Sequence, residues 1–169
     1  SVLPADRIPY GLEVDDRLKP LGFQDGDQVL AINGEAPESF KEIRRTLLFD
    51  QVANVQLERD GEIVDLQIDQ DLGQLFVDSA IRQPFGLRVP CLVDRVAPGS
   101  GAAAGGLLAG DRFISIDGTS ARFYGEVTNY LQSNPGKAVT IEVLRMDGQT
   151  AELVCNTDSS GALGFFQAA

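Results

Sequence analysis

The chain carries one pattern twice, and this constrains its fold more than any other feature. Gly22-Phe23-Gln24-Asp25-Gly26-Asp27-Gln28-Val29-Leu30-Ala31-Ile32-Asn33-Gly34 returns as Gly106-Leu107-Leu108-Ala109-Gly110-Asp111-Arg112-Phe113-Ile114-Ser115-Ile116-Asp117-Gly118. The register holds beyond that window: Phe40, Glu42, Ile43 and Leu47 are echoed by Tyr124, Glu126, Val127 and Leu131, and Arg59-Asp60-Gly61 by Arg145-Met146-Asp147-Gly148. Self-similarity on this scale means two copies of one small structural unit. A length of 169 residues suits one average domain or two small ones, and the repeat selects two. Each copy, at about 80 residues, is large enough for a modest core of its own.

The second copy is the easier to read as structure. Val89 to Val96 is a β-type run, broken by Pro98-Gly99-Ser100. Ser100 is placed to cap a short helix through Ala102-Ala103-Ala104, which Gly105-Gly106 ends. Arg112 to Ile116 is a strand closed by the Asp117-Gly118 turn, with Asp111 bracketing the turn before it through its carboxylate. Tyr124, Val127 and Leu131 fall on one face of a helix that Asn134-Pro135-Gly136 stops. Val139 to Arg145 and Ala151 to Cys155 pair across Asp147-Gly148. The first copy runs in the same order: a strand at Gly11 to Val14, a strand at Val29 to Ile32, a helix from Glu38 to Leu48 and a hairpin across Asp60-Gly61. Between the copies, Leu72, Leu75, Phe76 and Ala80 space an amphipathic helix, either packing glue or a hinge, which Gln83-Pro84-Phe85-Gly86 ends. The expected organisation is a first domain over 1–69, a helical linker over 70–88 and a second domain over 89–169. The fold class is α+β, mainly β: each domain is a small antiparallel sandwich or partly open barrel capped by two helices.

Composition excludes several chemistries. Net charge is -11; residues 1–84 hold 17 acidic and 8 basic side chains, a balance of -9, and the remainder holds 8 and 6, a balance of -2. Such a surface repels phosphate backbones, so nucleic acid is not an expected partner. There is no histidine, which removes Ser-His-Asp, Cys-His and His-Glu-x-x-His centres. No catalytic or metal-ligating residue is assigned. Cys91 and Cys155 are too few for a zinc ligand set and stand either as buried small hydrophobes or as a disulfide. No apolar run approaches the ~18 residues a membrane span needs. The sequence starts at Ser1 and stops after Phe165-Phe166-Gln167-Ala168-Ala169, and is read as a piece excised from a longer protein.

Pro98-Gly99-Ser100-Gly101-Ala102, Gly106-Leu107 and Gly110 to Gly118, in that order and followed by a long helix and an Arg-x-Asp-Gly hairpin, resemble the PDZ family over residues 89–166. Residues 8–69 resemble it more weakly, because the Pro-Gly-Ser-x-Ala segment is missing there. The resemblance implies a peptide groove between a strand and the long helix, with a Leu-Gly-Phe turn whose amides hold a C-terminal carboxylate. Leu163, Gly164, Phe165 and Phe166 match that turn, at the end of the chain rather than its start, as in the circularly permuted bacterial form; Val127 and Leu131 then line the helix side. The histidine that selects Ser/Thr-containing C-termini in one ligand class is absent. In the first copy, the helix after Asp69 is expected where the Leu-Gly-Phe segment belongs.

Two such copies joined by a helix are similar to the periplasmic insert of bacterial site-2-type intramembrane zinc metalloproteases, regulators of envelope stress signalling. That resemblance implies a periplasmic domain of an inner-membrane protein, with zinc and hydrolysis in the absent parent segments, no cofactor in this piece, and protein or peptide substrate ends as partners. Two other readings stay open: the peptide-binding pair of a soluble serine protease of the high-temperature-requirement class, and a non-enzymatic scaffold.

Overall fold

The computed structural model describes residues 8–169, which divide between Arg88 and Val89 into two compact units. The first contains β1 (Leu12–Val14), a 3-10 turn (Asp16–Leu21), β2 (Gln28–Ile32), α1 (Phe40–Phe49), β3 (Asn54–Arg59), β4 (Glu62–Gln67), α2 (Leu72–Asp78) and β5 (Phe85–Leu87). The second contains β6 (Val93–Val96), α3 (Gly101–Gly105), β7 (Arg112–Ile116), β8 (Thr119–Ser120), α4 (Tyr124–Gln132), β9 (Ala138–Leu144), β10 (Thr150–Asn156) and β11 (Phe165–Gln167). The class is α+β with every strand pair antiparallel: sheets β2-β3-β4 and β1-β5 in the first unit, β10-β9-β7-β8 and β11-β6 in the second.

The repeated residues perform the same local work in both units. Asn33 and Asp117 both sit at positive φ (51° and 50°), and the side chain of each accepts a backbone N–H from beyond its helix: that of Ala53, just before β3, for Asn33 and that of Thr140, in β9, for Asp117, each at 2.8 Å. Asn and Asp tolerate this left-handed geometry because their short polar side chains bond locally. Asp27 and Asp111 are fully buried and bracket their turns, accepting the amides of Gln24 (2.8 Å) and Leu108 (2.9 Å). Arg59 reaches both oxygens of Asp27 at 2.8 and 2.9 Å, whereas Arg145 stands 3.8 Å from Asp111. A buried carboxylate needs such partners, since removing one leaves a desolvated charge.

Each unit has its own core. Phe40, Ile43 and Leu47 of α1 turn inward with Phe23, Val55 and Leu57; Val127 and Leu131 of α4 do so with Phe113, Ile116, Val139 and Ile141. At about 2 kcal/mol per fully buried aliphatic or aromatic side chain, these faces carry most of the stabilisation. Ser100 caps α3, accepting the Ala103 amide at 3.1 Å, and Gly106 ends it at φ 89°. Cys91 and Cys155 are free thiols buried in the second core, so the disulfide alternative does not hold; burial pushes the Cys91 thiol up to about 12.

Residues 70–88, set apart in the sequence reading as a linker, lie within the first unit. Leu72, Phe76, Ile81 and Phe85 are buried in its core. The helix is shorter than the spacing suggested, ending where Ala80 turns to φ 51°, and Phe85–Leu87 leaves it as a strand that pairs with β1.

Candidate functional site

An open groove of about 360 Å³ runs beside α4. Tyr124, Thr128, Leu131 and Gln132, on one face of that helix, form one wall, and residues 160–166 form the other. None of the lining residues carries a charge. The helix starts cleanly because Glu126 reaches back to the Phe123 amide at 3.2 Å. On the opposite wall, β11 is hydrogen-bonded along one side only, to β6.

The backbone of that wall is fixed from behind. The carbonyls of Leu163 and Gly164 accept the amides of Ala102 (2.9 Å) and Ala97 (2.7 Å). Because these peptide bonds are trans, the amides of Gly164 and Phe165 point the opposite way, off the 97–102 segment. Among the described residues, the Leu163 and Gly164 amides donate to no protein acceptor. Gly164 adopts φ 92°, and a Cβ there would stand 2.3 Å from that of Ser100, so only glycine fits. Leu163 and Leu131, both buried, form an apolar floor. Phe165 packs on Phe113 with ring centroids 5.3 Å apart, while Phe166 faces outward. The arrangement can add an extended strand to β11, bond a carboxylate with backbone amides and seat one apolar side chain.

The loop entering the wall is organised by Asp158. Its Oδ1 accepts the amides of Ala162 and Ser160, each at 2.9 Å, and the Ser160 hydroxyl at 2.7 Å. The Ala162 amide, then Ser160, holds this carboxyl below the ordinary value of 3.8. A depressed folded-state pKa means that the loop's order is present above the ordinary value and is lost as pH falls through the lowered one. Asp158→Ala is therefore expected to speed amide hydrogen exchange across 160–162 at neutral pH by at least about threefold. The wild-type loop is expected to loosen in the same way only below pH 3.8. Unchanged exchange in the variant contradicts this role for Asp158.

Of the six residues singled out in the sequence, Leu163, Gly164, Phe165, Phe166 and Leu131 line this one groove, whereas Val127 is fully buried beneath it as core. Sequence reasoning missed Thr128 and Gln132, whose i+4 and i+8 spacing from Tyr124 was available as a signal, and Gly161, which packs against the end of α4.

The first unit holds a counterpart that the sequence reading did not find. Pro84 accepts the Asp15 amide as Gly164 accepts that of Ala97, and Phe85 pairs with Val14 as Phe165 pairs with Val96. Two things differ. Proline has no N–H, so one inward donor is gone. Phe85 is also covered: Phe76 of α2 meets it edge-on at 6.2 Å and Phe23 at 5.2 Å, leaving it 1% exposed. Helix α2, which has no counterpart in the second unit, thus supplies its own apolar side chain at this position. The separate 280 Å³ pocket at the start of α2 carries Asp50, Asp69 and Asp71, which repel an anionic peptide end.

The chain has no histidine, and no cluster of metal-ligating side chains forms among the described residues. Nor is any helix there long and apolar enough to cross a membrane.

Comparison with known proteins identifies a PDZ domain over residues 92–145, within the second unit. The chain is 28% identical over 82 residues to the Regulator of sigma-E protease RseP of Salmonella typhimurium (strain 14028s / SGSC 2262), covering 48% of this chain and 18% of that protein. It is 32% identical over 63 residues to RseP of Escherichia coli (strain K12), covering 37% and 14%. The chain thus spans less than a fifth of the length of these relatives. Among solved structures, the PDZ domain of an SdrC-like protein from Listeria innocua is 24% identical, covering 48% of this chain and 96% of that one, with a TM-score of 0.42.

Proposed function

We propose that this chain is the tandem-PDZ portion of a membrane-embedded zinc metalloprotease of the site-2 type, standing on the periplasmic side of the inner membrane. Its second unit takes protein or peptide ends between α4 and β11. The observation that carries the reading is the groove: a one-sided strand, outward amides at Gly164 and Phe165, and an apolar floor of Leu131 and Leu163. The PDZ match in the second unit and the similarity to RseP support the parent assignment. The circularly permuted order fits the same reading, since β11, last in the chain, closes against β6, first of its unit. Zinc and hydrolysis belong to the parent's other segments.

The pair acts as a gate. The first unit's equivalent position is filled by Phe76 and lacks a donor at Pro84, which leaves one receptive groove. A few strand hydrogen bonds at about 1 kcal/mol each and one buried apolar side chain at about 2 kcal/mol total about 5 kcal/mol before ordering costs, so affinity is expected to be micromolar at the tightest and to lie nearer the submillimolar range. Weak binding suits exclusion by bulk better than capture. In the longer protein, deleting residues 8–166 is expected to let untrimmed substrates be cleaved while trimmed ones are cleaved as before. Loss of cleavage of trimmed substrates on that deletion contradicts gating and indicates delivery.

A further inference from the structure

We propose that Arg95 and Phe166 form a second reading site on the outer face of the groove, selecting peptides with acidic side chains at their outward-facing positions. This rests on the groove of the second unit being a peptide site. Side chains of an added strand alternate between its two faces. With the C-terminal residue seated over Leu131 and Leu163, the residue two before it faces Tyr124 and Thr128 on α4. The penultimate residue and the one two before that face away from the helix, on the side to which Phe166 projects.

Phe166 pairs across the strands with Arg95, whose guanidinium carbon lies 4.4 Å from the ring centroid. The ring remains 47% exposed. The stack holds the cation over the Phe166 ring on β11 instead of leaving it to sample solvent. Among the described residues Arg95 enters no ion pair, unlike Arg17, Lys19, Arg59 and Arg145. The groove lining itself carries no charge and the whole chain carries -11, so Arg95 is the attractive element that an acidic peptide meets there. A lysine at the same peptide positions meets a like charge.

The test uses the whole chain and three synthetic peptides with free C-termini, identical except for Asp, Ala or Lys at the two outward positions. Wild type is expected to bind them in the order Asp, Ala, Lys, with about fivefold to tenfold between the extremes, the size of one or two exposed charge contacts. Raising salt to about 0.5 M is expected to shrink that gap. Arg95→Glu is expected to reverse the order while leaving the Ala peptide's affinity within about twofold, which also reports that the variant is folded. Equal binding of the three peptides by wild type, or a preference that survives Arg95→Glu, overturns the proposal while leaving the groove intact. Failure of all three to bind overturns the groove reading and this proposal with it.

Discussion

Replacing Gly105 with valine is expected to destabilise the second unit sharply and leave the first unaffected. Gly101 and Gly105 are one helical turn apart in α3 and both face β10. A Cβ at Gly105 would stand 2.3 Å from the Cys155 sulfur and 2.5 Å from the Val154 carbonyl oxygen; at Gly101 it would stand 1.8 Å from the Asn156 carbonyl oxygen. Backbone of a paired strand cannot yield as a flexible side-chain tip does. Helix α3 must therefore lift, exposing Ala102 and Leu107 and releasing the Ala102 amide from the Leu163 carbonyl. Overpacking alone costs about 1–3 kcal/mol, and loss of this helix raises the total beyond about 4 kcal/mol. For a unit this size, that shifts the midpoint by at least about 15 °C. The first unit's core contains no residue of the second, so its own transition is expected to stay in place. A single unfolding transition within a few degrees of wild type contradicts this account of α3.

The parts of the fold that were legible in the sequence are those with local causes. The repeat announced two units. The faces of α1 and α4 followed from helical spacing, and the Ser100 cap and the turns at Asn33-Gly34 and Asp117-Gly118 from residue chemistry. Leu163 to Phe166 was legible because it resembles a known turn. Its twin in the first unit was not: Pro84-Phe85-Gly86 keeps neither the leucine nor the central glycine, and only pairing with Val14, distant in sequence, makes it a strand. The same distance hid the fate of 70–88. An amphipathic helix shows that it has a partner without showing which, and here Phe76 finds Phe85. Val127 was placed at the groove although its spacing fits core equally well, and three dimensions put it beneath the floor. The Arg95–Phe166 stack joins opposite ends of the second unit and leaves no local trace.

The amides of Leu163, Gly164 and Phe165 are expected to receive a peptide carboxylate. Charge-assisted hydrogen bonds are worth about 1.5–3 kcal/mol, and each 1.4 kcal/mol is tenfold in affinity. The direct measurement is a titration of the chain with one peptide ending in an apolar residue, made once with a free carboxylate and once amidated, followed by backbone amide NMR. The free acid is expected to bind about 10- to 100-fold more tightly, and to move the resonances of 163–166 and of α4 while leaving those of α2 and β5 in place. Phe165→Asp is expected to abolish the response, and the amide spectrum of the peptide-free variant reports whether it is folded. Equal affinity for the two peptides, or shifts centred on Phe76 and Phe85 instead, contradicts the account.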